Sequence, residues 1–339
     1  MRDVNKGVTT DERMVSFQRN MALETMLDRV NSLLECAEQQ ALSLGPDLGA
    51  DHPVVFIMGP HRSGSTLFLQ WLAHSGLTAY PSNLMSRFFG APVMGAHIQL
   101  LLTDPQYNFR NEILDFNSPI TFESENGKTQ GALAPNEFWY FWRRFLPFRE
   151  LDWAPNDELL STVDCLTLVN ELKTLTQAFG KPFALKAMIL NYNVPFLDSI
   201  FEKAVFVQIK RDPISNIASM LEARKRQLGS EASWYSFKIR EYPSLKNLSP
   251  TAQCAGQWYF IDRALSEGMN AVDPQRKIVV QYEQFCKAPA TVFAQLVDKL
   301  GLADTCTAYT GPKQFTLPSQ VSSSLEKNIR DALSIFDNA

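Results

Sequence analysis

Val54-Val55-Phe56-Ile57-Met58-Gly59-Pro60-His61-Arg62-Ser63-Gly64-Ser65-Thr66 is the stretch whose reading decides the fold. Five apolar residues run without polar alternation into Gly59-Pro60, the signature of a short strand covered on both faces and feeding a turn. From Thr66 to Ala73 the pattern becomes that of a helix opening. Strand, glycine-bearing loop and helix in this order let backbone N–H groups wrap an anion while the helix adds the positive end of its dipole.

Outward from this unit, Ala204 to Ile209 and Lys277 to Gln281 read as further buried strands, with helical patterns at Ile214 to Lys225 and Ala290 to Leu300. Strands alternating with helices predict a P-loop-like α/β fold of three layers, with a mainly parallel central sheet flanked by helices. Residues 1–48 read as an N-terminal helical extension, 49–320 as the main domain and 321–339 as a tail. In the extension Leu23, Met26, Leu27, Val30, Leu33, Leu34, Ala37 and Ala41 recur at helical spacing and predict a face packed on the main domain. A homodimer seam is the alternative use of that face. The stretch from Gln227 to Pro250, with Gly229, Pro243 and Pro250 among polar and aromatic residues, reads as a long mobile loop.

Composition narrows the partners. The chain has 339 residues, 45% of them hydrophobic and 20% charged, with a formal net charge of -4, so no broad basic field invites nucleic acid and any anion site is local. Cys36, Cys165, Cys254, Cys286 and Cys306 are odd in number and scattered, without metal-ligand spacing, which predicts free thiols in the reducing cytoplasm and no metal. Met1 to Arg13 lacks the order of a signal peptide, and no run approaches the ~20 apolar residues of a membrane span.

The loop has the G-x-x-x-x-G spacing of a nucleoside-triphosphate loop, with Thr66 at the hydroxyl position, but Ser65 replaces the expected lysine and the cation is Arg62. Gly59 to Leu67 resembles the 5′-phosphosulfate loop of sulfotransferases, in the branch where arginine starts an R-S-G-S/T-T stretch. A second match is Val205-Phe206-Val207-Gln208-Ile209-Lys210-Arg211-Asp212-Pro213, with Ser219 eight residues after Arg211. The resemblance implies that 3′-phosphoadenosine 5′-phosphosulfate (PAPS) is the sulfuryl donor and the desulfated bisphosphate (PAP) the product. It assigns His61, Arg62, Ser63, Gly64, Ser65 and Thr66 to the 5′ end, and Arg211 with Ser219 to the 3′-phosphate. Phe183-Ala184-Leu185-Lys186, the stretch Ala252 to Trp258, and Ile278 to Glu283 with Pro289 and Leu300-Gly301-Leu302 follow the family in matching order. The activity implied is sulfuryl transfer to a small-molecule acceptor. Two rival readings are a PAPS-binding protein without turnover and an atypical P-loop kinase or nucleotidase.

The base that takes the acceptor's proton is not where relatives carry it. Met188 stands in place of a histidine two residues beyond Lys186, and Ser82-Asn83 in place of a glutamate. Glu137, next to Phe138, Trp139 and Phe141, is the favoured candidate because aromatic neighbours would desolvate it; Glu123, Glu125 and His97 are the others. Lys186 is the candidate for stabilising the transferred group. The aromatic run Phe138 to Phe145 predicts either core packing or an acceptor wall in which Arg143 or Arg144 meets an anion on the substrate.

Overall fold

The computed structural model describes residues 14, 20–43, 52–110, 112–116, 119–124, 127–304 and 308–336. Four strands form one parallel sheet: β1 (Val54–Met58), β2 (Phe183–Lys186), β3 (Val205–Lys210) and β4 (Lys277–Gln281), in the order β2-β1-β3-β4. Side chains alternate across it. Phe56, Met58, Phe183, Leu185 and Phe206 join the larger core, whereas Val55, Ile57, Ala184, Val205 and Val207 join a second core on the opposite face. Two apolar faces explain why β1, β2 and β3 read as apolar runs, and they make the three layers. Strand β4, expected to be buried, is at the sheet edge with one face open, and Val279 is 46% exposed.

Helices in chain order are α1 (Met21–Ser43), α2 (Ser65–Ser75), α3 (Pro92–Thr103), α4 (Trp139–Phe145), α5 (Asn156–Thr162), α6 (Cys165–Phe179), α7 (Val194–Ile200), α8 (Pro213–Leu228), α9 (Tyr242–Leu245), α10 (Pro250–Ala271), α11 (Tyr282–Lys287), α12 (Pro289–Lys299) and α13 (Ser323–Leu333). The sheet has β2 and β3 on opposite sides of β1, so the chain steps from β1 to β2 on one side and then crosses back over β1 to β3 on the other. The crevice this opens at the carboxyl ends of β1 and β3 is where open α/β sheets take ligands.

Helix α1 does pack on the main domain, through α3 and α6, but only in part by the predicted face: Leu27 is buried and Val30, Leu34, Ala37 and Ala41 are half-buried, whereas Leu23, Met26 and Leu33 are exposed. Glu24, Leu27, Asn31 and Glu38 are its buried residues, while Leu33 is 73% and Met26 56% exposed. The physical reason is polar. Asn31 donates to the Arg87 carbonyl at 2.9 Å and accepts from the Gly90 N–H at 2.6 Å, and the Glu38 carboxylate accepts from the N–H groups of Val93 and Met94, both at 2.9 Å. Helix α3 has no side-chain cap of its own, so Glu38 supplies one from outside.

Residues 227–250, expected as a mobile loop, contain α9 and are pinned by buried amides: Gln257 donates to the Phe237 carbonyl at 2.8 Å and Gln253 to those of Lys246 and Leu248. In the stretch read as a tail, Ile329, Ala332 and Phe336 enter the larger core. Cys36, Cys165, Cys254 and Cys286 are free thiols; Cys306 and Met1 to Arg13 lie outside the described residues. No described helix is long and apolar enough to cross a membrane.

Candidate active site

Each part of the site follows from a strand end. After β1 the chain turns through Gly59, whose N–H and carbonyl are both held by the Asn191 side chain at 3.0 and 2.8 Å. Arg62 takes a left-handed φ of 67°, and Gly64 follows at φ 99° as the N-cap of α2 without a side-chain cap. The first N–H groups of α2 therefore remain for a ligand. Gly64 cannot be replaced simply: a Cβ there would stand 2.2 Å from the Tyr282 ring. Tyr282 opens α11 just after β4 and also lies under the Arg211 guanidinium, 5.1 Å from ring centroid to Cζ.

The two stretches that resemble donor contacts converge. Arg211 Nη1 donates to the Arg62 carbonyl at 2.7 Å, and Arg62 Nε donates to Ser219 Oγ at 3.2 Å. All three residues border one cavity of about 1700 Å³. Pro213 starts α8 with Asp212 as its cap, and this helix carries Ser219 back toward the loop. Among the described residues neither guanidinium has a carboxylate within ion-pair distance. Burial depresses the Arg211 pKa, opposed by Tyr282 and reinforced by Arg62. Ser63 Oγ and Arg211 Nε are buried without partners. Two cations on one cavity and an uncapped helix N-terminus make a cradle for a polyanion, whereas Ser63, expected among its contacts, is fully buried and does not border the cavity.

His61 borders the cavity with a neutral ring. Burial, then repulsion from Arg224 and Arg62, lowers its pKa to about 3, and the ring stands edge-on to Tyr235 at 5.7 Å. Its carbonyl accepts from Asn216 Nδ2 at 2.9 Å. Ser65 turns its hydroxyl to Met188 Sδ at 3.2 Å.

Lys186 ends β2 beside this loop. Its buried ammonium donates to Thr66 Oγ1 at 2.7 Å and to Glu137 Oε1 at 3.0 Å, joining a proposed base to the phosphate loop. The neighbours of Glu137 explain its place. Asn83 holds the segment before it through the carbonyls of Thr129 and Gly131, and accepts from Asn136 Nδ2 at 2.8 Å. Asn136 in turn takes the Phe138 N–H, and Phe138 adopts a left-handed φ of 55° before α4 begins. The expected desolvation of Glu137 is not found: its side chain is 52% exposed, because Phe138, Phe141 and Trp142 turn into the core.

Of the other base candidates, Glu123 and His97 are exposed and do not border the cavity, and Glu125 lies outside the described residues. The aromatic run divides, with Trp139 and Tyr140 bordering the cavity and Phe138 and Phe141 in the core. Arg143 borders the cavity but is paired with Asp152. Arg144 does not border it and pairs with buried Glu171.

The profile described as the sulfotransferase family matches residues 53–305. The chain belongs to that family. The match runs from just before β1 to just beyond α12, and so holds every donor-end residue named above. No curated protein is similar to the chain in sequence. Among solved structures, sulfotransferase STF9 from Mycobacterium avium is similar over 99% of this chain and 80% of its own, at 15% identity and TM-score 0.51. Sulfotransferase STF1 from Mycobacterium tuberculosis H37Rv is similar over 88% and 76%, at 13% identity and TM-score 0.48. At these identities the first likeness supports the fold.

Sequence reasoning missed several residues of the family member's site. Asn191 and Asn216 fasten the loop from elements distant in sequence, and only their place soon after a strand end marked them. Asn20, Leu23 and Glu24 of the extension and Val321 and Leu325 near the other end also border the cavity. No local pattern announced them.

Proposed function

We propose that this transferase moves a sulfuryl group from PAPS to a hydroxyl or amine of a small-molecule acceptor by in-line displacement, releasing PAP. The observation that carries this reading is the meeting of Arg62 and Arg211, unpaired with any described carboxylate, on one cavity wall beside an uncapped helix N-terminus. A kinase or nucleotidase needs a loop lysine and metal-bound triphosphate instead.

PAPS supplies an activated sulfuryl group with a phosphate as leaving group. Arg62, Thr66 and the first N–H groups of α2 would face the 5′ end, and Arg211 with Ser219 the 3′-phosphate. As the acceptor oxygen bonds to sulfur and the sulfur–phosphate oxygen bond breaks, the electron pair leaves with the phosphate. Fixed cations aimed there lower the barrier. Glu137 takes the acceptor's proton, and Lys186, held between Thr66 and Glu137, faces the oxygens of the group in transit. We place the protein in the cytoplasm, where its free thiols stay reduced.

The test is thermal stabilisation by PAP against ATP with magnesium, followed by mass spectrometry of a metabolite extract incubated with PAPS. Stabilisation by PAP well above ATP, with products heavier by one SO₃ group, is expected. Equal shifts with both nucleotides would overturn the donor assignment, and binding without any product would leave a PAPS-binding protein.

A further inference from the structure

The cavity is larger than its donor end requires. About 1700 Å³ exceeds the roughly 300–1,000 Å³ common for one small ligand. Beyond Glu137 its wall is mixed: Leu23, Trp139, Tyr140, Phe237 and Leu325 form an apolar and aromatic part, and Arg149 and Lys238 border it as well. Within this wall Glu24 stands out. It is only 8% exposed, the Tyr140 hydroxyl donates to its Oε1 at 2.6 Å, and no ion pair among the described residues includes it. Glu24 also borders the cavity, and Tyr140 is its one side-chain hydrogen-bond partner among the described residues.

We propose that Glu24 is a specificity-determining residue and that the acceptor carries an ammonium group remote from the hydroxyl that reacts; this rests on the transferase reading above. A carboxylate set in an apolar wall is costly unless a cation meets it. Among the described residues no ion pair supplies one. The arginines of α4, which carries Tyr140, do not offset this: Arg143 is spent on Asp152 and Arg144 on Glu171. Glu137, bonded to Lys186, and Tyr140, bonded to Glu24, border the same cavity, which offers both carboxylates to one acceptor.

The experiment measures binding of tyramine, 4-ethylphenol and 3-(4-hydroxyphenyl)propanoate to the full chain saturated with PAP, by calorimetry. Tyramine is expected to bind about tenfold or more tightly than 4-ethylphenol, the worth of one charge-assisted hydrogen bond, and the propanoate more weakly than either. Glu24→Gln, which keeps the shape, brings the first ratio to within about twofold, and Tyr140→Phe, which keeps the carboxylate, preserves it. Equal binding of tyramine and 4-ethylphenol to the PAP complex overturns the inference alone. A ratio lost equally in both variants also overturns it, because the wall's shape and not the carboxylate would then be responsible. Failure of PAP to bind at all overturns the transferase reading itself.

Discussion

Gly64→Ala probes whether the phosphate loop and the start of α11 act as one unit. The new Cβ would stand 2.2 Å from Tyr282 Cε2 and 2.3 Å from Cδ2, on a backbone with φ +99°. Forcing a side chain into the left-handed region costs about 1–2 kcal/mol, and overfilling a packed site about 1–3 kcal/mol. The ring has nowhere to go cheaply: Tyr282 is 7% exposed and carries the Arg211 guanidinium over its face. The expected loss is therefore about 2–5 kcal/mol of stability in urea unfolding, with weaker PAP binding because Arg211 moves with the ring. Pairing the change with Tyr282→Ala removes the clash but not the backbone strain, so the double variant should lose about 1–3 kcal/mol less than the sum of the singles. A single-variant loss below about 1 kcal/mol, or strict additivity in the cycle, would refute the packing argument.

Four further outcomes are expected. Asn191→Ala strands the buried N–H and carbonyl of Gly59 and should cost about 2–6 kcal/mol in denaturant unfolding. Glu137→Gln should lower the rate of sulfuryl transfer by about 10²–10⁴-fold in initial-rate assays while PAP still binds. Arg211→Ala should weaken PAP by about 10–100-fold, yet change the binding of adenosine 5′-phosphate, which lacks the 3′-phosphate, far less in titration calorimetry. His61 gives a pH signature: its folded pKa lies near 3 against an ordinary 6.5, so the unfolded chain holds more protons between those values and stability is lost as pH falls through that window. His61→Gln should flatten this acid limb relative to the natural chain in a series of unfolding curves.

How much could be read in advance depends on how local the cause is. Strand β1 was legible to the residue, since burial on both faces leaves an unbroken apolar run and Gly59-Pro60 marks its end; β2 and β4 also begin and end where expected, the first through the family resemblance. The stretches expected at the donor end do meet, since loop, arginine and serine each sit on a strand end or the helix after it. Helix α1 misled because Glu24, Asn31 and Glu38 are buried through hydrogen bonds, which hydropathy counts as surface. The reason for choosing Glu137 does not hold: adjacency in sequence to aromatics promised desolvation, but the left-handed Phe138 sends rings and carboxylate opposite ways. The far wall of the cavity was not legible at all, being assembled from α1, α4, the 227–250 stretch and the residues before and within α13.

That assembly bears on how the cavity is held. Residues 20–24 and 318–325 border the same cavity although roughly 300 residues separate them, and each docks on the body by its own surface, α1 on α3 and α6 and α13 on α8 and α10. The loop after β1 is fastened separately, by Asn191 and Asn216. Loosening either end helix should therefore open the far wall of the cavity while the loop keeps its shape.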